Sequence, residues 1–194
     1  MKEIISEIRG AVISTLVLAV VCCGIYPLVV YGIGTALFHE KAEGSILVDS
    51  HGNVVGSALI GQNFTSDKYF HPRPSAAGNG YDATSSGGSN LGPTSKKLSD
   101  SITQNIADYR AQNGLGTNAP VPADAVTASA SGLDPHISPA NAEMQAGRVA
   151  KARHLEIEDV LSLVHRYTEG PSLGFLGEPG VNVVKLNLAL DARK

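Results

Sequence analysis

The chain has 194 residues and a formal net charge of −3, from 15 Lys and Arg against 18 Asp and Glu. That balance argues against the basic class of proteins that bind nucleic acid through its phosphates. The two Cys are adjacent, Cys22 and Cys23, so no disulfide framework is expected. With no Trp, four Phe and 21 Gly, any core must be mainly aliphatic, and we expect a partner to help stabilise it.

The first element in chain order is an apolar stretch without formal charge, residues 10–38. It exceeds the roughly 20 residues needed to cross a bilayer. We therefore predict a transmembrane helix over 10–38, a short N-terminal segment at 1–9 and one soluble domain at 39–194. A cleaved signal peptide is the main alternative, because Gly34-Thr35-Ala36 resembles a cleavage site, but a signal's apolar region is normally about 7–15 residues. A lipoprotein anchor and a buried soluble helix fit less well, since the run continues past both cysteines and has no polar face.

Basic residues at the two ends of this stretch predict its orientation. Lys2 and Arg9 precede it, whereas Lys41 is the one basic residue soon after it. Cytoplasmic flanks carry the excess of Lys and Arg, so we expect the N-terminus in the cytoplasm and the domain outside. The lack of Cys in residues 39–194 suits an oxidising compartment without establishing one.

The soluble part begins with a predicted β-hairpin. Two aliphatic runs, residues 45–49 and 54–60, flank residues 50–53, whose Gly and Asn allow the positive φ angles of a tight turn. From 71 to 93 the composition changes to Gly, Ser, Pro, Asn and Ala without periodicity. So long a structureless stretch is uncommon in a compact domain, and its low charge favours an ordered functional loop over a flexible segment.

Helix signals dominate the second half of the chain, through capping residues and apolar spacing. The predicted order of elements is that of an α+β domain with a small mixed sheet and about three helices. The elements are a helix capped by Thr94 or Ser95 and ending before Gly114, a possible strand at 126–130, a helix from Ser138-Pro139 to about His154, a helix from Ile157 stopped by Gly170-Pro171, and a closing strand in which Val184, Leu186, Leu188 and Leu190 alternate with Lys185, Asn187 and Ala189.

These elements contain no evident catalytic or metal-binding constellation. Gly87-Gly88-Ser89-Asn90-Leu91 lacks the final glycine of a nucleophile elbow, and Thr94 and Lys97 have Ser/Thr-x-x-Lys spacing but lie where a helix cap is expected. The nearest approach to a metal pattern is Asp134 and His136, which a turn explains better. Since there is also no Gly-x-x-x-x-Gly-Lys-Ser/Thr loop for phosphates, we predict no catalytic residue, no metal ligand and no independent ATPase.

Three polar segments combine stiff or permissive backbone with small hydroxyls: residues 69–75, 86–91 and 126–134. In the first, Arg73 has proline on both sides, which restricts its backbone, and its guanidinium suits a carboxylate or a phosphate. We predict that His71 and Arg73 lie at a partner interface or an ion entrance. The alternatives are that Arg73 pairs within the domain and that the Ser and Thr hydroxyls hold turns in shape.

A set of short sequence motifs, taken in order over nearly the whole chain, resembles the potassium-transporting ATPase C chain family, KdpC. They are Gly24-Ile25-Tyr26-Pro27-Leu28, Gly56-Ser57-Ala58-Leu59-Ile60-Gly61-Gln62-Asn63-Phe64, the segments 69–75, 86–91 and 126–134, Arg148-Val149-Ala150-Lys151-Ala152-Arg153, and Leu186-Asn187-Leu188-Ala189-Leu190-Asp191. The stretches between them, especially 95–122 and 154–175, match the family in pattern only.

The resemblance implies a non-catalytic accessory subunit of an ATP-driven potassium import complex in the bacterial inner membrane. Its implied partners are a channel-like potassium-translocating subunit and a P-type ATP-hydrolysing subunit, and the complex uses ATP, magnesium and potassium. The family is described as a catalytic chaperone that raises the ATP affinity of the pump subunit, and Ser86, Gly87, Gly88 and Ser89 resemble part of a nucleotide-binding signature. A domain outside the cell cannot touch cytoplasmic ATP, so the predicted orientation favours assembly, stabilisation or shaping of the external potassium entrance.

The membrane helix has the residue types of a docking surface. Gly24, Pro27, Tyr31 and Thr35 fall near one face at helical spacing, and small or hydrogen-bonding residues permit close helix packing in lipid. We predict that this face packs on the channel-like subunit. The alternative function is a stand-alone membrane-anchored binding or hydrolytic domain, with residues 71–93 as its site.

Overall fold

The computed structural model describes residues 2–49 and 51–193. The chain divides into two compact units between Ser45 and Ile46. The first is a long helical run, in which helix α1 spans Lys2–Ala19, a π-helical segment spans Val20–Ile25, helix α2 spans Tyr26–Leu37 and the short helix α3 spans His39–Ala42. From Glu3 to Leu37 the run is long and apolar enough to cross a membrane, judged by length and composition. The predicted long apolar helix is therefore confirmed, although it begins well before residue 10.

The π-helical segment lies directly before Pro27. A proline has no N–H to donate to the preceding turn, and the N–H of Tyr26 here bonds to the oxygen of Val21, five residues back. Such wide turns are rare, and many occur at functional sites in helices. Because the turn is wider, Gly24 is rotated about the helix axis relative to the position that regular spacing predicts.

The second unit starts with the predicted hairpin. Strand β1, Ile46–Val48, pairs antiparallel with β2, Val54–Ser57. Asp49 organises the turn, since its Oδ1 accepts hydrogen bonds from the N–H groups of His51 at 2.8 Å and Asn53 at 2.9 Å. The hairpin prediction is confirmed, although β2 ends at Ser57 rather than at residue 60.

After residues 58–95, which form no helix or strand, the described residues of this unit form five helices and three short strands. They are α4 Lys96–Gln112, α5 Ala123–Val126, β3 His136–Ile137, α6 Pro139–Arg153, α7 Ile157–Arg166, β4 Thr168–Glu169, β5 Gly180–Asn182 and α8 Val183–Asp191. The strands form an antiparallel sheet in the order β3-β5-β4. The α+β class is confirmed, although the strands pair antiparallel and not as the predicted mixed sheet. Helices α6 and α8 contact β5, and α7 packs against α6 and α8.

Capping residues mark several of the predicted helix ends. Helix α7, however, ends at Arg166 rather than at Gly170-Pro171, and Ser95 at the start of α4 makes no side-chain capping hydrogen bond in the described part of the chain. The Ser138 hydroxyl accepts a hydrogen bond from Asn141 N at 3.2 Å, with proline in the first turn of α6. The same helix ends at His154, whose φ of 56° is left-handed. Helix α4 ends before Gly114, which has φ 64°. The three predicted helices are confirmed as α4, α6 and α7.

The strand predicted at 126–130 is wrong. Val126 is the last residue of α5, and the Thr127 hydroxyl donates to Ala123 O at 2.7 Å, one turn back. β-branched residues raised the strand expectation, but this local side-chain bond holds a helical turn instead. The chain then continues as a loop through residues 128–135.

The closing strand predicted around residues 184–190 is also wrong, because residues 183–191 form helix α8. The Asn182 side chain caps it by accepting a hydrogen bond from Lys185 N at 3.1 Å. Leu186 and Leu190 are both fully buried. Their spacing of four fits alternation and helical periodicity equally well, so the apolar pattern alone did not separate the two.

The hydrophobic core is built mainly from aliphatic and small side chains, as the composition predicts. Phe70, which is fully buried, contributes an aromatic ring from the segment before α4. The other buried members come from the sheet and from α6, α7 and α8: Ile137, Ala142, Ala146, Val149, Ala150, Val160, Leu163, Val164, Val181, Val183, Leu186 and Leu190.

Candidate functional site

The structure brings together the three polar segments that the sequence singles out. Arg73 Nη1 lies 3.3 Å from Asp134 Oδ2, and Arg73 Nη2 donates to Ala128 O at 3.3 Å. Ser75 Oγ donates to Gly132 O at 2.6 Å. Segment 126–134 therefore receives hydrogen bonds from the side chains of segment 69–75.

Segment 86–91 also packs against segment 126–134. Ser86 Oγ and Gly87 N both donate to Ser131 O, at 3.0 Å and 2.9 Å. Gly88 approaches the backbone of Ala130 so closely that an added Cβ would lie 2.9 Å from Ala130 O. Ser89 is exposed. These contacts give Ser86, Gly87 and Gly88 structural roles, and their relation to a nucleotide stays a prediction.

Gly132 lies where the backbone of segment 126–134 comes close to Gly87 and Ala77. Its φ is 68°, in the left-handed region, and an added Cβ would lie 2.6 Å from Gly87 O and 2.7 Å from Ala77 N. Both the backbone angle and the available space therefore require glycine.

Two buried amide side chains hold the backbone that leads to Arg73. Gln145 on α6 accepts from His71 N at 2.7 Å and donates to His71 O at 3.1 Å. Asn187 on α8 accepts from Phe70 N at 2.8 Å and donates to Phe70 O at 3.0 Å. Each amide pairs with both the backbone N–H and the backbone C=O of one residue, as a neighbouring strand would do in a sheet.

These two amides support the candidate site, and the sequence pattern does not point to them. Gln145 belongs to a buried polar row on α6, because its Nε2 also donates to Asn141 Oδ1 at 2.8 Å, and Tyr109 OH donates to the same oxygen at 2.8 Å. Burial raises the pKa of the Tyr109 phenol, which keeps it a donor. Asn187 stands out in the sequence only if residues 183–190 are taken as a helix, because it is then a polar residue on the apolar face.

Charged side chains alternate in sign along the surface beside Arg73. His136 Nδ1 lies 3.4 Å from Asp134 Oδ1 and its Nε2 lies 3.8 Å from Glu169 Oε2. Lys185 Nζ lies 2.8 Å from Glu169 Oε1. The hydrogen bond between His136 and Asp134 lowers the pKa of the carboxyl and raises the pKa of the imidazole. Asp134 Oδ1 also accepts from His136 N at 3.0 Å, which agrees with the predicted turn.

Arg73 lies where three clefts adjoin. One of about 410 Å³ includes His71 and Tyr109, one of about 450 Å³ includes His136, and one of about 620 Å³ includes Leu59. The Arg73 side chain is 24% exposed, and its buried Nε has no hydrogen-bond partner among the described residues. His71 and Arg73 thus share the first cleft, and desolvation lowers the pKa of His71.

The predicted docking face of the membrane helix is divided between two kinds of helix. Gly24 lies in the π-helical segment, whereas Pro27, Tyr31 and Thr35 follow one another on α2. Thr35 Oγ1 donates to Tyr31 O at 2.9 Å, so the hydroxyl is used within its own helix. The Tyr31 side chain is 70% exposed.

Comparisons with known proteins agree over nearly the full length. The family model described as the c chain of the K+-transporting ATPase matches residues 8–192. The potassium-transporting ATPase KdpC subunit of Nitratidesulfovibrio vulgaris is 56% identical over 187 residues, covering 95% of this chain and 93% of that protein. The KdpC subunit of Mycobacterium bovis is 52% identical over 185 residues (95% and 97% covered), and that of Koribacter versatilis is 48% identical over 190 residues (98% and 94% covered). The chain therefore belongs to the KdpC family, the c chain of K+-transporting ATPases.

Proposed function

We propose that this chain is a non-catalytic accessory subunit of an ATP-driven potassium import pump, needed for the assembly and stability of the complex. The observation that carries the proposal is the family match over residues 8–192. Its partners are then a channel-like potassium-translocating subunit and a P-type ATP-hydrolysing subunit. The same match disfavours a stand-alone binding or hydrolytic domain.

We further propose that the helix anchors the chain in the bacterial inner membrane with the soluble domain outside. Lys2 and Arg9 before the apolar stretch, against Lys41 after it, support this orientation. Protease added to intact spheroplasts should remove the domain and leave the anchor. A domain that is degraded only after the membrane is permeabilised would contradict the orientation.

The surface around Arg73 is proposed as the part of the domain that faces a partner subunit or the potassium entrance. Arg73 borders three clefts and keeps a partly exposed guanidinium. Removing it with Arg73→Ala should lower complex stability or apparent potassium affinity, whereas Lys96→Ala, at an exposed ion pair on α4, should change neither. If Arg73→Ala left both properties intact, this assignment would be wrong.

We propose that the chain raises the ATP affinity of the pump only indirectly, through the assembled complex. Ser86 and Gly87 already donate hydrogen bonds to Ser131 O, and an external domain has no access to cytoplasmic ATP. Replacing Ser89, which is exposed, by alanine should leave the KM for ATP of the complex unchanged. A KM that rises several-fold in Ser89→Ala would support direct contact with the nucleotide instead.

The docking role of the helix rests on Gly24 and the residues of α2. Gly24→Leu places a large side chain where close helix approach is proposed, so co-purification with the pump should weaken. Gly32→Leu is the matched control, since it makes the same change about 100° around α2 from Tyr31 and therefore off the proposed face. Equal yields of complex for both variants and the unaltered chain would count against the docking face.

Growth at limiting potassium tests the function in the cell. A strain that lacks this chain but retains the other pump subunits should fail to grow until the chain is restored. Normal growth of that strain, with potassium uptake through other transporters excluded, would contradict the accessory role.

A further inference from the structure

The loop between β4 and β5 carries the most exposed apolar side chains of the second unit. Leu173 is 83% exposed, Phe175 is 75% exposed and Leu176 is 51% exposed. All three lie within four consecutive residues of the chain. Clustered exposure of large apolar side chains on a soluble domain marks a contact surface more often than a neutral one.

The tip of this loop is held in a defined conformation. Ser172 and Leu176 exchange two backbone hydrogen bonds, both 2.9 Å, and Gly174 N donates to Pro171 O at 3.0 Å. Leu173 has φ 55°, a left-handed angle that is unfavourable for a leucine. Strained residues persist where the surrounding structure enforces them, and they concentrate at binding sites. The loop thus presents Leu173 and Phe175 outward on a structured turn.

The charge of this region distinguishes a protein pocket from a lipid surface. Between Arg166 and Lys185 the sequence has two acidic residues, Glu169 and Glu178, and no basic one. Glu178 is exposed and makes no hydrogen bond or ion pair with any residue in the described ranges. Loops and helices that rest on bilayers use Lys, Arg, Trp or Tyr at the headgroups, and anionic lipids repel carboxylates. An apolar protein pocket with a basic rim fits the loop better.

The loop is continuous with the surface around Arg73. Leu176 borders the same cleft as Arg73 and His136. On another side of Arg73, the exposed side chains of Leu59 and Ile60 border the adjoining cleft. Aromatic residues and Arg are among the side chains enriched in protein–protein interfaces.

We propose that residues 172–176 insert Phe175 and its leucine neighbours into an apolar pocket with a basic rim, on the extracytoplasmic face of another pump subunit. This inference rests on the function proposed above, because it names the contact through which the domain joins the complex. The basic rim pairs with Glu178.

The test compares Phe175→Ser with Val54→Ser in the full-length chain, each combined with the other pump subunits. Val54 is 68% exposed on β2 and serves as the matched exposed apolar control. Phe175→Ser should weaken association at least about 30-fold, as expected for removal of a central aromatic anchor. Both variants should show the helix content and thermal midpoint of the unaltered chain, because neither side chain is buried.

A photoreactive benzophenone residue at position 175 identifies the occupant. In the assembled pump it should cross-link to a protein subunit, and in the same complex a benzophenone at position 54 should not. Cross-linking to lipid, unchanged affinity of Phe175→Ser, or an equal loss in Val54→Ser would each overturn the proposal. If the unaltered chain formed no complex at all, the proposed function would fail together with this inference, whereas a normal complex with Phe175→Ser would overturn the inference alone.

Discussion

Replacing Gly132 by alanine tests whether the crossing of the three polar segments is required for folding. The substitution adds a Cβ 2.6 Å from Gly87 O and 2.7 Å from Ala77 N, at a φ of 68°. The left-handed backbone costs a residue with a Cβ about 1–2 kcal/mol, and overpacking typically costs about 1–3 kcal/mol more. We expect Gly132→Ala to lower the free energy of unfolding by about 2–5 kcal/mol.

Gly114→Ala is the matched control, because Gly114 has φ 64° and an added Cβ there would meet nothing within 4 Å. It should lose only the backbone part, about 1–2 kcal/mol. Urea unfolding of both variants in detergent, followed by circular dichroism, measures the difference. Equal losses in the two variants would show that the close approach of Gly132 to Gly87 and Ala77 is not a constraint on the fold.

Three further predictions concern the site and its supports. Asn187→Ala leaves the buried N–H and C=O of Phe70 unpaired and should lower the free energy of unfolding by about 2–4 kcal/mol. Gln104→Ala, on the exposed face of α4, is the control and should cause no measurable change. His136 has a raised pKa, so its ion pairing stabilises the fold below its unfolded pKa and is lost as pH rises through its folded pKa. His136→Gln should therefore reduce stability more at pH 6 than at pH 9, by less than about 1 kcal/mol because the side chain is 39% exposed and screened. A larger effect at pH 9 would contradict that sign. Asp134 has a lowered pKa, so its contribution to the stability of the fold is present above its unfolded pKa and is lost in acid. The thermal midpoint of Asp134→Asn should therefore fall less between pH 5 and pH 3 than that of the unaltered chain.

Much of the fold was predictable because local signals decide it. The uncharged stretch at 10–38 predicts the long helix, and Ser138 with Pro139 locates the start of α6. The final helix was not predictable by apolar alternation, because Leu186 and Leu190 satisfy two periods at once. The buried Asn187 on α8 bonds to the backbone of Phe70, a contact between distant parts of the chain that favours the helix over a strand.

The site was predictable in its parts but not in its geometry. Composition singled out Arg73 and the segment 126–134, yet nothing in the pattern places Arg73 beside Asp134, 61 residues further along the chain. The role of Gln145 depends on the position of α6 against the His71 backbone. Contacts of this kind follow from packing of the whole domain, which local propensity does not encode.

Purified components test whether this chain is an accessory subunit that a potassium pump requires. Potassium-stimulated ATP hydrolysis is measured for the other pump subunits with this chain present, absent and added back. We expect stimulation only when the chain is present, and its recovery when the chain is restored. The same rate and the same potassium dependence without the chain would contradict it.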